Sequence, residues 1–178
     1  MGIQAAVLED LRKSDFGLRA LQGRVRSGDP DNIEAQATPR YWPALLGPDF
    51  RRDRDGKGPN QLLNYDYGVL RAAGLPPYLG LNHHNRYNAF CLVDDHIEPC
   101  RPLVDRGIFN FLDFYGPDPE LNSTVKRVLI ETLTGRVRVE GGWLTLFDAL
   151  TRYTMSLAQV FNGERKTLRF PNRWWPEE

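Results

Sequence analysis

Apolar residues recur at helical spacing along most of this chain, and this periodicity limits the fold more than any other feature. In residues 17–27, Leu18, Leu21 and Val25 are spaced three or four residues apart, as on one face of an α-helix. The same spacing returns in three later stripes: Leu63, Tyr67 and Leu70; Val125, Leu129 and Leu133; and Leu146, Leu150, Tyr153, Leu157 and Val160. Such stripes are buried when helices pack on one another, so the sequence predicts a mainly α domain.

One short segment breaks the helical pattern. Residues 136–143, RVRVEGGW, alternate apolar and charged residues and then reach two glycines. This alternation predicts a small β-hairpin that turns at Gly141–Gly142. The expected architecture is therefore a multi-helix domain with at most one short β-hairpin. We expect this domain to cover residues 1–170, followed by a loose tail of residues 171–178.

Prolines and capping residues place the helix boundaries. Asp29 and Pro30 suit a helix start, and Thr145 with Asp148 resembles a capping box. Pro39 falls where the interior of the Asp29 helix would lie, so we expect an interruption there. The predicted helices cover residues 4–13, 17–27, from 29 onward, 60–73, 89–114 with breaks at Pro99 and Pro102, 123–134, and 145–161.

The charge balance excludes a uniformly basic nucleic-acid-binding protein. The 178 residues carry 23 basic and 23 acidic side chains, although 19 of the basic ones are arginines, which bind phosphate well. No apolar run is long enough for a membrane span, and the first residues do not resemble a signal peptide. We therefore expect a cytoplasmic protein in which Cys91 and Cys100 are reduced thiols.

The segment DDHIEP concentrates negative charge on one helical face. Asp94, Asp95 and Glu98 are three or four residues apart, so their carboxylates are neighbours that repel one another. A divalent cation would relieve this repulsion. An ion pair with Arg101 on a solvated surface would also relieve it, and spacing alone leaves both interpretations open.

Two adjacent histidines, His83 and His84, lie shortly before this acidic segment. Imidazole and carboxylate groups together are typical ligands of transition metals. An acid near a helix start, such as Glu34, is usually explained by the helix dipole. The candidate contacts with nucleic acid are arginines in polar segments: Arg51, Arg52, Arg86 and Arg138.

Two long strings together resemble a known family. They are RVRSGDPDNIEAQATPRYWPALLGPDFRRDRDGKGPNQLLNYDYGVLRA and GLNHHNRYNAFCLVDDHIEPCRPLVD, and the similarity extends more weakly to SLAQVFNGERKTLRFP. The chain resembles the CRISPR-associated Cas-one family, in the form found with type II systems. That family supplies the integrase–endonuclease of spacer acquisition in antiviral defence. Its members combine an N-terminal β-domain with a helical catalytic domain, and only the helical domain is recognised here.

The resemblance implies a metal centre. The family's ligand motifs fall on Glu34, His83 and Glu98, with Asp95 as the accompanying acid. His84 remains the alternative histidine. These residues would hold Mg²⁺ or Mn²⁺ and catalyse metal-assisted transfer or hydrolysis of DNA phosphodiesters.

The resemblance also implies partners, namely DNA and a Cas-two family protein. Family members are homodimers, but the β-domain that drives dimerisation is not recognised in this sequence. The expected function is a DNA endonuclease and integrase of CRISPR adaptation. The alternative is a catalytically inactive fragment that binds DNA or other adaptation proteins.

Overall fold

The computed structural model describes residues 1–72, 91–139 and 141–169, without the side chains of residues 91, 92 and 132. These residues form a mainly α fold with one two-stranded sheet, as predicted. The elements are α1 (Gly2–Asp10), α2 (Leu18–Gln22), α3 (Ile33–Leu46), α4 (Pro59–Ala72), α5 (Cys91–Ile97), a 3₁₀ turn (Glu98–Cys100), α6 (Arg101–Tyr115), α7 (Ser123–Leu133), β1 (Arg136–Val139), β2 (Gly142–Thr145) and α8 (Leu146–Phe161).

Helix α6 is the centre of the packing. It contacts α1, α4 and α7, and Leu103, Val104 and Ile108 are completely buried. Pro102 occupies its first turn, where the missing N–H has no intrahelical partner to lose. Gly116 ends the helix with a φ of +97°, a backbone conformation that favours glycine. The N-terminus of this central helix lies directly after the acidic segment.

Helix α2 is shorter than the sequence predicts. Leu18 and Leu21 are buried between α1 and α3, but the helix ends at Gln22 and Val25 lies beyond it. After Gly23 the amides of Arg24 and Val25 bond back in tight turns instead of continuing the helix. The predicted helix over residues 17–27 is therefore wrong after Gln22.

Helix α3 continues through both of its prolines, so the predicted interruption at Pro39 is wrong. Pro39 is exposed, whereas Ala37, Tyr41 and Leu45 are buried along the opposite side. Tertiary packing of this apolar stripe outweighs the backbone hydrogen bonds that the prolines remove. Glu34 therefore lies at the start of an unbroken helix.

The hairpin and α8 form the C-terminal part of the described chain. Val139 pairs with Gly142, so Gly142 belongs to β2 and the prediction that it forms part of the turn is wrong. Thr145 caps α8 as predicted, since its hydroxyl oxygen accepts the amide of Asp148 at 3.1 Å.

The predicted core stripes are largely confirmed. Leu129 and Leu133 of α7 are buried, as are most of the predicted positions of α8. Cys100 is buried and its thiol is free, as predicted, whereas the side chain of Cys91 lies outside the description. Within the described ranges, no helix combines the length and apolar character needed to cross a bilayer. The tail from residue 170 onward also lies outside the description.

Candidate metal centre

Glu34 is held in place by the capping of α3. The Asp29 carboxylate accepts the amide of Ile33 at 2.8 Å and the amide of Glu34 at 2.9 Å. Asp29 thus serves as a helix cap, although the helix begins at Ile33 and not directly after Asp29. The side chain of Glu34 is exposed, while Ile33 beside it is buried and fixes the first turn.

The acidic segment lies where α5 passes into the 3₁₀ turn and α6. Asp95 is buried at 9% exposure, whereas the side chain of Glu98 is 61% exposed. Glu98 is the first residue of the 3₁₀ turn, and Pro99 follows it. This geometry presents one acid to solvent and keeps its neighbour inside the fold.

Glu34 and Glu98 approach the same region from distant parts of the sequence. Burial lowers the pKa of the Met1 amino group, and the carboxylates of Glu34 and Glu98 act in the opposite direction and raise it. Such effects require proximity, because charge interactions weaken with distance and are screened by water. Glu34 and Glu98 therefore both lie within charge-interaction range of the Met1 amino group.

The predicted histidine cannot be placed relative to these acids. His83, His84 and Arg86 all lie in residues 73–90, outside the described residues. Within the described ranges, no three His, Cys, Asp or Glu side chains form a metal-binding group. The donor types fit a divalent cation, since carboxylate oxygens are the ligands that Mg²⁺ and Mn²⁺ prefer.

Arg101 contacts the acidic segment directly. Its Nη1 atom lies 2.7 Å from Oε2 of Glu98, and its Nη2 atom lies 4.0 Å from Oδ1 of Asp94. Asp94 pairs more closely with Arg71 of α4, at 2.7 Å. The ion-pair interpretation of the acidic segment is therefore confirmed for Arg101.

Comparisons with known proteins identify the family of this chain. The model of the CRISPR-associated protein Cas1 family matches residues 31–114, a range that contains every ligand predicted above. The CRISPR-associated endonuclease Cas1 of Neisseria meningitidis serogroup C (strain 8013) is 39% identical over 163 residues, covering 86% of this chain and 53% of that protein. This chain belongs to the CRISPR-associated Cas1 family.

Two further proteins support the family and its fold. CRISPR-associated endonuclease Cas1 2 of Pyrobaculum aerophilum is 40% identical over 99 residues, covering 49% of this chain and 34% of that protein. A solved structure titled "Casposase bound to integration product" matches with a TM-score of 0.67 at 19% identity, covering 98% of this chain and 62% of that chain. The chain spans about half the length of the Neisseria relative and about a third of the length of the Pyrobaculum relative.

Within the Cas1-family region, a buried carboxylate of α6 accepts hydrogen bonds from tyrosines of two other helices. Asp105 of α6 is 2% exposed and accepts hydrogen bonds from the hydroxyls of Tyr41, at 2.9 Å, and of Tyr67. Burial raises the pKa of Asp105 to about 7, against the lowering effect of these hydrogen bonds. The sequence does not reveal this network, because helical spacing places Tyr67 only in a core stripe and does not single out Tyr41.

A buried histidine also anchors the acidic segment. The ring of His96 stacks on Tyr153 of α8 at 4.0 Å, and Nε2 lies 2.8 Å from the hydroxyl of Thr154. Burial lowers the pKa of His96 to about 4, so the imidazole is neutral near pH 7. It therefore ties α5 to α8 without adding a charge beside the acids.

The predicted nucleic-acid contacts differ in their surroundings. Arg52 is half-buried and donates to Asn60 at 2.9 Å and to Asn64. Arg51 and Arg138 are exposed, with Arg51 donating to backbone carbonyls of its own loop and Arg138 lying over the ring of Trp143. A role of these arginines in binding DNA stays a prediction.

Proposed function

We propose that this chain is the catalytic domain of a divalent-metal-dependent DNA endonuclease and integrase of CRISPR adaptation. The observation that carries the proposal is the Cas1-family match over residues 31–114, which contains all the proposed ligands; Glu34 and Glu98 also both lie within charge-interaction range of the Met1 amino group. The name endonuclease is borne by the Neisseria relative, and the structural match is a casposase bound to its integration product.

The proposed ligands are Glu34, His83 and Glu98, with Asp95 as the accompanying acid and His84 as the alternative histidine. Bound Mg²⁺ or Mn²⁺ would withdraw charge from the phosphate that is attacked. The two exposed carboxylates, those of Glu34 and Glu98, would hold the cation through oxygen, and Asp95 is buried in the same acidic segment as Glu98. Exposed arginines bind the flanking phosphates, so the affinity for DNA falls with salt.

The proposed reaction exchanges one phosphodiester bond for another. A DNA 3′-hydroxyl attacks the phosphorus, a new P–O bond forms, and the bond to the leaving 3′-oxygen breaks. The proton of the attacking hydroxyl leaves, and the departing oxygen is protonated in return. With water as the nucleophile the same chemistry yields a nick. A Cas-two family protein and a second copy of the chain are the proposed protein partners.

The test compares nicking of branched DNA by the wild type and by Glu98→Ala, each with Mn²⁺ and with EDTA. We expect nicking only with Mn²⁺, and a loss of at least about 100-fold in the variant, because a ligand to the metal is missing. Asp148→Ala is the control, since Asp148 is an exposed acid at the start of α8. DNA binding without nicking under any metal would instead support the inactive DNA-binding fragment.

A further inference from the structure

We propose that Arg101 is a positioning residue for the metal centre, fixed in its own place by the ring of Tyr67. The inference rests on the proposed function, because it concerns the same cation. It assigns a role to Arg101, to the ring of Tyr67 and to the buried carboxylate of Asp105, which all lie outside the predicted ligand set. Three contacts carry the argument, from Glu98 inward to Asp105.

The first contact restrains the exposed ligand. The Glu98 side chain is 61% exposed, and a long exposed side chain samples many rotamers. Its Oε2 atom lies 2.7 Å from Nη1 of Arg101, whose side chain is only 25% exposed. The ion pair therefore restrains the carboxylate that is proposed to bind the cation.

The second contact fixes the arginine. The Arg101 guanidinium lies over the ring of Tyr67, 5.2 Å from its centroid, and Arg52 lies over the same ring at 5.6 Å. A planar guanidinium stacks on an aromatic face in a way that a lysine ammonium does not. Tyr67 thus sets the position from which Arg101 reaches Glu98.

The third contact anchors the ring inside the protein. The Tyr67 hydroxyl donates to Asp105, and Tyr41 donates to the other oxygen of that carboxylate. Tyr41 is completely buried, and Asp105 nearly so. Movement of the Tyr67 ring would break a buried hydrogen bond, so its position is determined by the core.

Helix α4 holds the acidic segment at a second point. Arg71 lies four residues after Tyr67, one turn further along the same face, and contacts Asp94 at 2.7 Å. One face of α4 therefore holds the acidic segment in two ways. Arg71 contacts Asp94 directly, and the ring of Tyr67 positions Arg101 of α6, which contacts Glu98. This arrangement favours a positioning role over a simple neutralisation of charge.

The two roles predict opposite effects on metal binding. If Arg101 merely neutralised the acids, removing its charge would strengthen Mn²⁺ binding, because a cation near the site repels the metal. If Arg101 positions Glu98, Arg101→Gln weakens Mn²⁺ binding by about tenfold or more. The matched control is Arg106→Gln, a half-buried arginine of the same helix that lies over Phe109.

A second pair of variants tests the anchor. Tyr67→Phe and Tyr41→Phe each remove one hydroxyl from the same carboxylate, so comparable falls in Tm are expected. Only Tyr67→Phe should weaken Mn²⁺ binding, measured by calorimetry, and only Tyr67→Phe should lower the NMR order parameter of the Arg101 Nε–H group in metal-free protein. Equal effects of both variants would show a merely structural role and overturn the proposal.

The outcomes separate this inference from the proposed function. Mn²⁺ binding by the wild type with equal or tighter binding by Arg101→Gln would overturn the positioning role alone. A wild type that binds no Mn²⁺ would overturn the proposed metal-dependent function and the positioning role together, even with an ordered Arg101 side chain. Weakened binding in Arg101→Gln and Tyr67→Phe, with both controls unchanged, is the expected result.

Discussion

At the scale of single residues, Asp29 is the side chain that fixes the start of α3 and with it Glu34. Its carboxylate accepts two helix amides, and its φ of +40° lies in the left-handed region. Asp29→Asn tolerates this backbone conformation but has only one acceptor oxygen for the two amides, so we expect a loss of about 1 kcal/mol in the free energy of unfolding. Urea denaturation measures it, and Mn²⁺ binding should weaken in parallel.

The control for Asp29 is a nearby acid on the same loop. Asp31 forms an exposed ion pair with Arg26 at 2.5 Å, and exposed pairs contribute little stability. Asp31→Ala should therefore change the free energy of unfolding by less than about 0.5 kcal/mol. Equal losses in the two variants would show that helix capping is not the cause.

The candidate ligands differ in how far the sequence determines them. The spacing of Asp94, Asp95 and Glu98 predicts clustered negative charge, and the structure shows that cluster paired with Arg101. Only the family resemblance connects it to Glu34, because no local spacing relates residues from separate helices. The buried Asp105 was missed for the same reason, since its tyrosine partners come from α3 and α4.

At the scale of elements, α4 organises the charged loop that precedes it. The amide oxygen of Asn60 accepts from Arg52 and from the backbone of Asp53, both at 2.9 Å, and its amide nitrogen donates to Arg51 at 3.2 Å. Asn60→Ala removes all three bonds from a residue that is only 7% exposed. We expect a loss of about 2 kcal/mol in the free energy of unfolding.

Hydrogen exchange tests whether this loss is local. The Asp53 amide should exchange faster in Asn60→Ala, because its acceptor is gone. Amides of α8 should lose protection from exchange only to the extent that the global free energy of unfolding falls. Gln61→Ala is the control, since Gln61 is the exposed neighbour on the same helix. An unchanged Asp53 amide would contradict the assigned hydrogen bond.

The element boundaries show where local sequence rules are overridden. Helix propensity predicts a break at Pro39, but a buried stripe that includes Tyr41 keeps α3 continuous. Periodicity predicts a longer α2, but the pattern cannot show that the chain turns after Gly23. Elements with a wide apolar face and a clear cap, such as α8 with Thr145, are predicted well because local and tertiary preferences agree.

At the scale of the whole molecule, stability depends on pH through two buried carboxyls. Asp66 of α4 is completely buried, neither of its oxygens has a hydrogen-bond partner among the described residues, and burial raises its pKa from 3.8 to about 7. Burial likewise raises the pKa of Asp105 to about 7. In the folded protein both groups hold their protons over a range in which the unfolded chain releases them.

The direction of the pH dependence follows from this difference. A carboxyl whose pKa is raised in the folded state favours folding below pH 4. This stabilisation is lost as the pH rises to about 7, and each carboxyl lowers the free energy of unfolding by about 1.4 kcal/mol per pH unit. His96 acts in the opposite direction, because burial lowers its pKa to about 4 and its contribution is lost as the pH falls below about 6.5. The total curve therefore mixes opposing slopes.

A variant isolates one carboxyl from this mixture. Asp66→Asn keeps the shape of the side chain but cannot ionise, so its difference from the wild type reports Asp66 alone. We expect similar free energies of unfolding at pH 4 and a variant that is more stable by about 2 kcal/mol or more at pH 8, measured by urea denaturation. A constant difference between pH 4 and pH 8 would mean that Asp66 ionises with an ordinary pKa, which its burial should prevent.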